Sequence, residues 1–244
     1  MKKTLIFPGA LALAFAASAQ SGTVVYNETM KLEIHIDGMD AGMAEMLPKE
    51  RKSVKMLHFT PDASIYVNGK QNEDQEVAEE MAGGGTMVIR MDEADEQLYY
   101  DIKNQKITEQ RDFMSRLFLI ESAVDSLSWK LTGNRRDILG YPCIEATYQK
   151  DTVRTVAWFT PAIPVSTGPG KYHGLPGIIL EVNVDDGKRI ISAASVTDGD
   201  VAALLVRPKK GRKVSGEEFN KIVEEKTGEM EGEGGATIMI KISK

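Results

Sequence analysis

The sequence predicts a mainly β protein, built as a curved antiparallel sheet or partly open β-barrel with one C-terminal helix. Three observations carry this prediction. Along Val24 to Ile36, apolar residues recur at every second position, the period of a strand with one covered face. Short runs rich in β-branched and aromatic residues then follow one another, separated by turns, as far as Val196. A convincing helical pattern appears only late, after Ser215.

The other strand candidates lie between charged, Asn-containing or Gly-containing turns. They are Val54–Thr60, Ser64–Val67, Met87–Met91, Gln97–Lys103, Lys106–Phe113, Arg116–Glu121, Ser128–Leu131, Cys143–Gln149, Val153–Phe159, Ile178–Val184, Arg189–Val196 and Thr237–Ile242. Asn68-Gly69, Gly133-Asn134 and Asp186-Gly187 predict turns between them. Residues 70–85 are acidic and end in three glycines, which predicts a surface loop.

The predicted helix begins with a capping box. Ser215 stands three residues before Glu218, so each side chain can satisfy a backbone N–H of the other residue. Phe219, Ile222 and Val223 then recur at helical spacing. We expect this helix to end near Gly228.

Residues 1–19 have the pattern of a secretory signal peptide. Lys2 and Lys3 precede a short apolar stretch, and Ala17-Ser18-Ala19 forms an A-x-A cleavage site. The apolar stretch is too short to span a membrane, and the sequence contains no later hydrophobic span. We therefore expect cleavage after Ala19, a single β-rich domain over residues 20–244, no transmembrane segment in the mature chain, and a periplasmic or secreted location.

The charge balance argues against some partners. The chain has 30 Lys and Arg residues against 36 Asp and Glu, a formal net charge of −6. Nonspecific binding to nucleic acid or to anionic lipid needs a basic face, so neither partner is expected. The single cysteine, Cys143, cannot form an intramolecular disulfide. Alternation along its strand could leave Cys143 on the second side of the sheet. The predicted role is a small buried packing residue, and the alternative is a reactive thiol, which the lack of an adjoining His or basic residue disfavours.

The segment from Ala157 to Val182 is the most distinctive part of the chain. Pro169-Gly170 and Pro176-Gly177 each have the residues of a type II turn, because Pro presets φ and Gly accepts a positive φ. These two turns lie between the strand candidates Val153–Phe159 and Ile178–Val184. The pattern predicts a rigid, shaped loop between two core strands.

This segment closely resembles the signature of the GLPGLI family. Gly174, Leu175, Pro176, Gly177 and Ile179 fit the name-giving hexapeptide, and Ile178 replaces its second Leu. Other residues of the pattern follow in the expected order: Gly140, Tyr141, Cys143, Trp158, Pro161, Pro164, Gly168 and Pro169. The resemblance is firmest from Ile138 to Val182. It implies a secreted or envelope protein of the kind typical of Bacteroidota, whose biochemical role is unknown.

Two nucleotide-binding patterns are excluded in this segment. A phosphate-binding Walker loop needs a glycine where Val165 stands and a Ser or Thr where Tyr172 stands. Gly168, Gly170 and Gly174 have the wrong spacing for a dinucleotide-binding loop and do not open a predicted helix after a strand. No cofactor is expected.

Two chemical alternatives remain open at this point. A hydrolase could use His173 as its base with a nucleophile such as Ser166, although no recognised hydrolase motif accompanies them. A copper site could be formed by soft thioether ligands, and the candidate ligands are Met39, Met43, Met46 and His35. Methionine is also a common filler of irregular cores, which is the more ordinary interpretation.

The leading hypothesis is a noncatalytic exported protein that binds an envelope protein or an apolar ligand. In this hypothesis the loop presents Trp158, Tyr172 and His173 on a preorganised surface, since aromatic residues are enriched at binding hot spots. The alternative is purely structural: the signature fixes how two strands meet. The structural residues would then be Gly168, Pro169, Gly170, Gly174, Leu175, Pro176, Gly177, Ile178 and Ile179.

Overall fold

The structure is a computed structural model of the chain. It describes residues 20–36, 48–69, 75–80, 86–91, 96–232 and 238–241. The predicted signal peptide, residues 1–19, lies outside the described residues. So do Met39, Met43 and Met46 of the proposed copper site.

Sixteen strands are present in the described part of the chain. They are β1 (Gly22–Lys31), β2 (Glu33–Ile36), β3 (Glu50–Phe59), β4 (Ala63–Asn68), β5 (Gln75–Glu80), β6 (Thr86–Met91), β7 (Gln97–Asp101), β8 (Lys106–Phe113), β9 (Arg116–Ala123), β10 (Lys130–Ile138), β11 (Tyr141–Lys150), β12 (Val153–Thr160), β13 (Ile178–Val184), β14 (Arg189–Asp198), β15 (Arg212–Ser215) and β16 (Ile238–Lys241). One α-helix, α1 (Gly216–Gly232), and a short 3₁₀ helix, Ala202–Leu204, complete the described elements.

Twelve strands form one open sheet in the order β10-β11-β12-β13-β14-β1-β3-β4-β7-β8-β9-β15. Neighbours in this sheet are antiparallel, except that β15 runs parallel to β9. Two further antiparallel pairs, β16 with β2 and β5 with β6, lie outside it. The predicted class, mainly β with one C-terminal helix, is confirmed.

The large sheet is strongly curved. The ring of Trp129 lies 5.6 Å from that of Tyr148 on β11, and its Nε1 donates a hydrogen bond to the carbonyl oxygen of His173 at 2.8 Å. The ring of His173 lies 5.1 Å from that of Tyr100 on β7. Strands β11 and β7 are seven places apart, about 33 Å on a flat sheet. Because so few side chains link them, the sheet must curl, which agrees with the predicted curved sheet.

Helix α1 caps one end of the sheet. Its capping box is confirmed: the Ser215 N–H donates to Glu218 Oε2 at 2.7 Å, and the Glu218 N–H donates to Ser215 Oγ at 3.2 Å. Phe219 is buried against Phe113 and Phe118, with edge-to-face rings. This small cluster is separate from the main core. The helix extends to Gly232, one turn beyond the predicted end.

The structure corrects several predicted boundaries. The run Val24–Ile36 is two strands, because the chain leaves the large sheet at Leu32. The Leu32 side chain is buried, and its N–H donates to the Lys49 carbonyl oxygen. The region expected to be a loop, residues 70–85, contains β5. Strand β10 continues through Gly133, where the predicted turn is instead a shift in register. These details depend on how each strand pairs with its partner, which local residue preferences do not specify.

Candidate functional site

The loop of residues 161–177, called the signature loop below, lies inside the concave side of the sheet. It leaves β12 at Thr160 and enters β13 at Ile178. Four of its side chains join the main core and are at most 4 % exposed: Ile163, Val165, Tyr172 and Leu175. They pack among core residues of the surrounding strands β1, β3, β4, β11, β12, β13 and β14. The loop is therefore part of the core.

Hydrogen bonds attach the signature loop at several points. The N–H groups of Ile178 and Ile179 donate to the carbonyl oxygens of Ile163 and Thr167, each at 3.0 Å. The hydroxyls of Thr167 and Ser64 are 2.7 Å apart, which joins the loop to β4. Burial of these polar groups is tolerated because each has a partner. The predicted rigid, shaped loop agrees with this arrangement.

The turn at Pro169 differs from the predicted type. The Tyr172 N–H donates to the Pro169 carbonyl at 3.2 Å, so Pro169 is the first residue of the turn and Gly170 is its first central residue. In a type II turn Gly170 would occupy the second central position. Gly170 does have a positive φ, +58°. The need for glycine is confirmed here, whereas the turn type is wrong.

The turn at Pro176 also differs from the prediction. The Gly177 N–H donates to the Leu175 carbonyl at 2.8 Å, which makes a three-residue γ-turn centred on Pro176. The fixed φ of proline suits this turn. Gly177 has a φ of +155°, and a Cβ atom there would lie 2.1 Å from the Thr160 carbonyl oxygen. Glycine is required because the two ends of the signature loop approach each other closely.

Tyr172 and His173 lie inside the molecule. They are 4 % and 5 % exposed, and the Tyr172 hydroxyl is hydrogen-bonded to Thr155. Burial lowers the pKa of His173, an effect that the nearby Asp125 partly opposes. The sequence predicts these two side chains on an outer surface. In the structure they are buried instead, because the curved sheet closes over the signature loop. Whether either residue takes part in binding stays a prediction.

The proposed hydrolase pair is not assembled in the described residues. The His173 ring packs against Tyr100, and none of the hydrogen bonds in the described part of the chain joins it to Ser166. A general base must reach the proton that it abstracts, directly or through one water. The arrangement of the described residues therefore gives the hydrolase hypothesis no geometric support.

Three of the four residues proposed for the copper site, Met39, Met43 and Met46, lie outside the described residues. His35 lies in β2, opposite Met239 of β16, and nothing further is described of these two side chains. Among the residues that the structure describes, no group of three or more His, Cys, Asp or Glu side chains is placed to hold a metal ion. The thioether site stays a prediction.

Trp158 lies on the outer face of β12. The guanidinium of Arg136 stacks over its ring at 4.2 Å, and Arg136 Nη2 pairs with Glu181 Oε1 at 2.5 Å. The three residues belong to β12, β10 and β13, so they form a row across the outer face of the sheet. Such a stack combines a cation–π contact with a partly exposed ion pair.

An open cleft of about 590 Å³ lies next to this row. Residues from three places line it: the end of β10, the start of β11 and the first residues of the signature loop. They are Arg135, Arg136, Asp137, Pro142, Cys143, Ile144, Pro161 and Ala162. We call this feature the outer cleft. The sequence analysis did not identify this cleft, although Arg135 and Arg136, which stand shortly before Gly140-Tyr141, were a visible signal of a charged site.

Cys143 is buried, as predicted. Its side chain is 1 % exposed, and its thiol donates to the Tyr141 carbonyl at 3.4 Å. Burial raises the pKa of this thiol to about 11. The reactive thiolate is therefore scarce at neutral pH.

We expect Cys143 to be inert in the folded protein. At pH 8, its reaction with a disulfide reagent such as Ellman's reagent should be at least about a hundredfold slower in the native protein than in guanidinium chloride, because the thiol is both buried and protonated. The signal is assignable because the chain has one cysteine. Equal rates in the two conditions would contradict the burial of Cys143.

A buried ion pair also lies on the concave side. Arg189 Nε on β14 donates to Glu28 Oε1 on β1 at 2.8 Å, and the Tyr66 hydroxyl donates to Glu28 Oε2 at 3.5 Å. The Tyr26 hydroxyl, fully buried, donates to the Ile179 carbonyl at 2.6 Å. These bonds link β1 and β14 to the strand that follows the signature loop. We expect them to stabilise the fold.

Comparison with known proteins gives a family of unknown function for part of the chain. Residues 147–181 match a family model described as "Protein of unknown function (Porph_ging)". This segment runs from β11 to β13 and includes the whole signature loop. Membership of the GLPGLI family stays a prediction. No match to the chain was found among curated proteins.

Two solved structures of PNGF-II, in the P21 and C2 space groups, are similar to this chain. The sequence identities are 15 % and 16 %, and the TM-scores are 0.57 and 0.56. Each comparison covers 84 % of this chain but 34 % and 33 % of the PNGF-II chains. The chain thus spans about a third of the length of PNGF-II. At these identities the likeness to PNGF-II is one of fold.

In the described residues, no helix has the length and apolar character needed to cross a membrane.

Proposed function

We propose that the protein is an exported, noncatalytic binding protein of the cell envelope, and that it holds a protein partner at the outer cleft. The curved sheet and the signature loop form the rigid support, while the cleft and the Trp158 row make the contact. Export is supported by the signal-peptide pattern of residues 1–19. A periplasmic or secreted location belongs to the same proposal.

The observation that carries this proposal is the contrast between the two sides of the loop. On the concave side, loop side chains such as Ile163 and Leu175 are packed into the core. On the outer side, Pro161 and Ala162 border an open cleft. A binding surface supported by a rigid core loses little conformational entropy when a partner docks.

The residues of the outer cleft favour a protein partner over an apolar chain. Two arginines and Asp137 stand beside proline and isoleucine, and Trp158 lies close by with its ring under Arg136. Arginine and tryptophan are the residues most often found at protein–protein hot spots. The other five lining residues are apolar, so the preference for a protein partner depends on the three charged residues and on Trp158.

The experiment uses a photo-crosslinking amino acid placed at Ala162, in the organism that makes the protein. A matched derivative carries the same group at Lys209, an exposed position away from the cleft. We expect the derivative at position 162 to give one covalent product with another protein, and the derivative at position 209 to give none. Mass spectrometry identifies the captured molecule and its class.

Two charge-reversal variants test whether the cleft itself is responsible. Arg135→Glu should reduce the yield of the 162 crosslink at least tenfold, because it reverses a cation of the cleft lining. Lys209→Glu changes the net charge equally and should leave the yield unchanged. A crosslink that survives Arg135→Glu, or that captures lipid instead of protein, would contradict the proposal.

A further inference from the structure

Strand β10 is an open edge of the large sheet. It stands first in the strand order, and among the described strands it pairs with β11 alone. All its residues from Lys130 to Asp137 are exposed. No other backbone hydrogen bond of the described residues reaches this strand. An edge of this kind offers unpaired N–H and C=O groups to a strand from another molecule.

The pairing with β11 tells which backbone groups face outward. Asp137 lies opposite Pro142, and proline has no N–H to give to the ladder. That pair is therefore a non-hydrogen-bonded pair, and the alternation of an antiparallel ladder makes Arg136 and Ile138 the residues that bond to β11. The N–H and C=O groups of Arg135 and Asp137 consequently point to the open edge.

The side chains along this edge define the chemistry of an occupant. Leu131 is 60 % exposed near one end, and Leu139 is 48 % exposed just beyond the other. Along β10, Lys130, Arg135 and Arg136 outnumber the single acid Asp137, although the chain as a whole has a net charge of −6. Arg136 is already paired with Glu181, which leaves Lys130 and Arg135 to attract an acidic group. An extended segment with acidic and apolar residues fits this pattern.

The outer cleft adjoins the regular part of the same edge. Arg135–Ile138 pairs without interruption with Tyr141–Ile144, and these two stretches supply most of the cleft lining. The register shift lies farther along, between Leu131 and Arg135. A strand added beside residues 135–138 would run past the mouth of the cleft. A volume of about 590 Å³ is within the range of ordinary ligand pockets, so it can take an apolar side chain.

We propose that β10 is a docking edge for an extended, acidic segment of the protein partner, which adds to the sheet as a further strand and places an apolar side chain in the outer cleft. This inference rests on the proposed function and specifies how the partner is held. Main-chain hydrogen bonds to Arg135 and Asp137 provide affinity, and the cleft provides selectivity. The segment needed is about nine residues long, the length of β10 itself.

The probe is a phage-displayed library of random nine-residue peptides, selected on the purified protein. We expect the selected peptides to be acidic and to alternate apolar with polar residues. Binding of one selected peptide is then measured by fluorescence anisotropy to two variants. Asp137→Pro removes an outward N–H without removing a ladder bond to β11, whereas Asp137→Ala removes the same side chain and keeps the N–H. The dissociation constant should rise at least tenfold in Asp137→Pro and less than about threefold in Asp137→Ala.

Three outcomes would overturn the docking edge. The library yields no binder, the selected peptides bind both variants equally, or the protein forms a dimer that Asp137→Pro dissociates, which would make a second copy the occupant. The 162 crosslink separates this inference from the proposed function. If that crosslink persists in Asp137→Pro, the protein partner is real and strand addition is wrong. If it is also absent from the 162 derivative in which Asp137 is unchanged, the proposed function itself fails.

Discussion

Gly177→Ala lowers the free energy of unfolding by at least about 3 kcal/mol, the size of the large effects that arise from strain and overpacking. A Cβ atom at this position would lie 2.1 Å from the Thr160 carbonyl oxygen, 2.7 Å from the Thr160 carbonyl carbon and 3.0 Å from the Pro161 Cα atom. All three are backbone atoms at the junction of β12 and the signature loop, so none can move as a flexible side chain could. Chemical denaturation of the purified variant measures the effect.

Gly170→Ala is the matched control. Gly170 also has a positive φ, but a Cβ atom there meets nothing within 4 Å. Its expected cost is about 1 kcal/mol, from the left-handed backbone alone. Equal losses in the two variants would mean that the loop ends do not approach each other as described. If Gly177→Ala does not fold, recovery of soluble Gly170→Ala under the same conditions still distinguishes the two positions.

Arg189→Met destabilises the protein by about 2–4 kcal/mol, because removal of one member of a buried pair leaves the other charge without compensation. The Glu28 side chain is 6 % exposed, and its other partner among the described residues is the Tyr66 hydroxyl at 3.5 Å. Arg189 is itself 23 % exposed, which keeps the expected loss below that of a fully buried pair. Denaturant unfolding at neutral pH measures the loss.

A double variant tests the cause of that loss. Glu28→Leu combined with Arg189→Met removes both charges, and we expect it to recover at least half of the stability lost in Arg189→Met alone. The two positions contact each other, so their effects must be strongly non-additive. Additive losses would mean that the pair contributes packing but little electrostatic stabilisation.

Local sequence patterns predicted the strands well where one face is covered. In β1 the alternating residues Val24 and Tyr26 are fully buried, as the period of two requires. Glu28 stands in the same register, so the buried charge was visible in the sequence as an acid on an apolar face. Its partner was not predictable, because Arg189 is 161 residues away and is brought near by sheet pairing.

The signature loop was predictable in its glycine turns but not in its position. Proline and glycine indicate turns, yet the same Pro-Gly pair fits a β-turn or a γ-turn, and hydrogen bonds to distant residues decide between them. Nothing in the segment indicates that Thr167 meets Ser64 or that His173 meets Tyr100. The inward path of the loop depends on sheet curvature. For this reason the aromatic residues expected at the surface, Tyr172 and His173, are buried.

The same curvature explains why the outer cleft was missed. It is formed where β10, β11 and the start of the signature loop come together, three segments whose meeting needs the folded sheet. Trp158 was identified as a binding candidate, and the structure adds Arg136 and Glu181 as its neighbours. The candidate binding surface is therefore at the first residues of the signature loop and not at its tip.

Hydrogen–deuterium exchange of the signature loop tests most directly whether this loop is an internal part of the core. We predict that peptides covering residues 161–177 exchange as slowly as those from β12, because core amides open only with large parts of the fold. They should exchange at least about a hundredfold more slowly than the mostly exposed segment of residues 199–211. Exchange of residues 161–177 as fast as that of residues 199–211 would contradict the internal loop, and the rigid support proposed for the outer cleft would be lost with it.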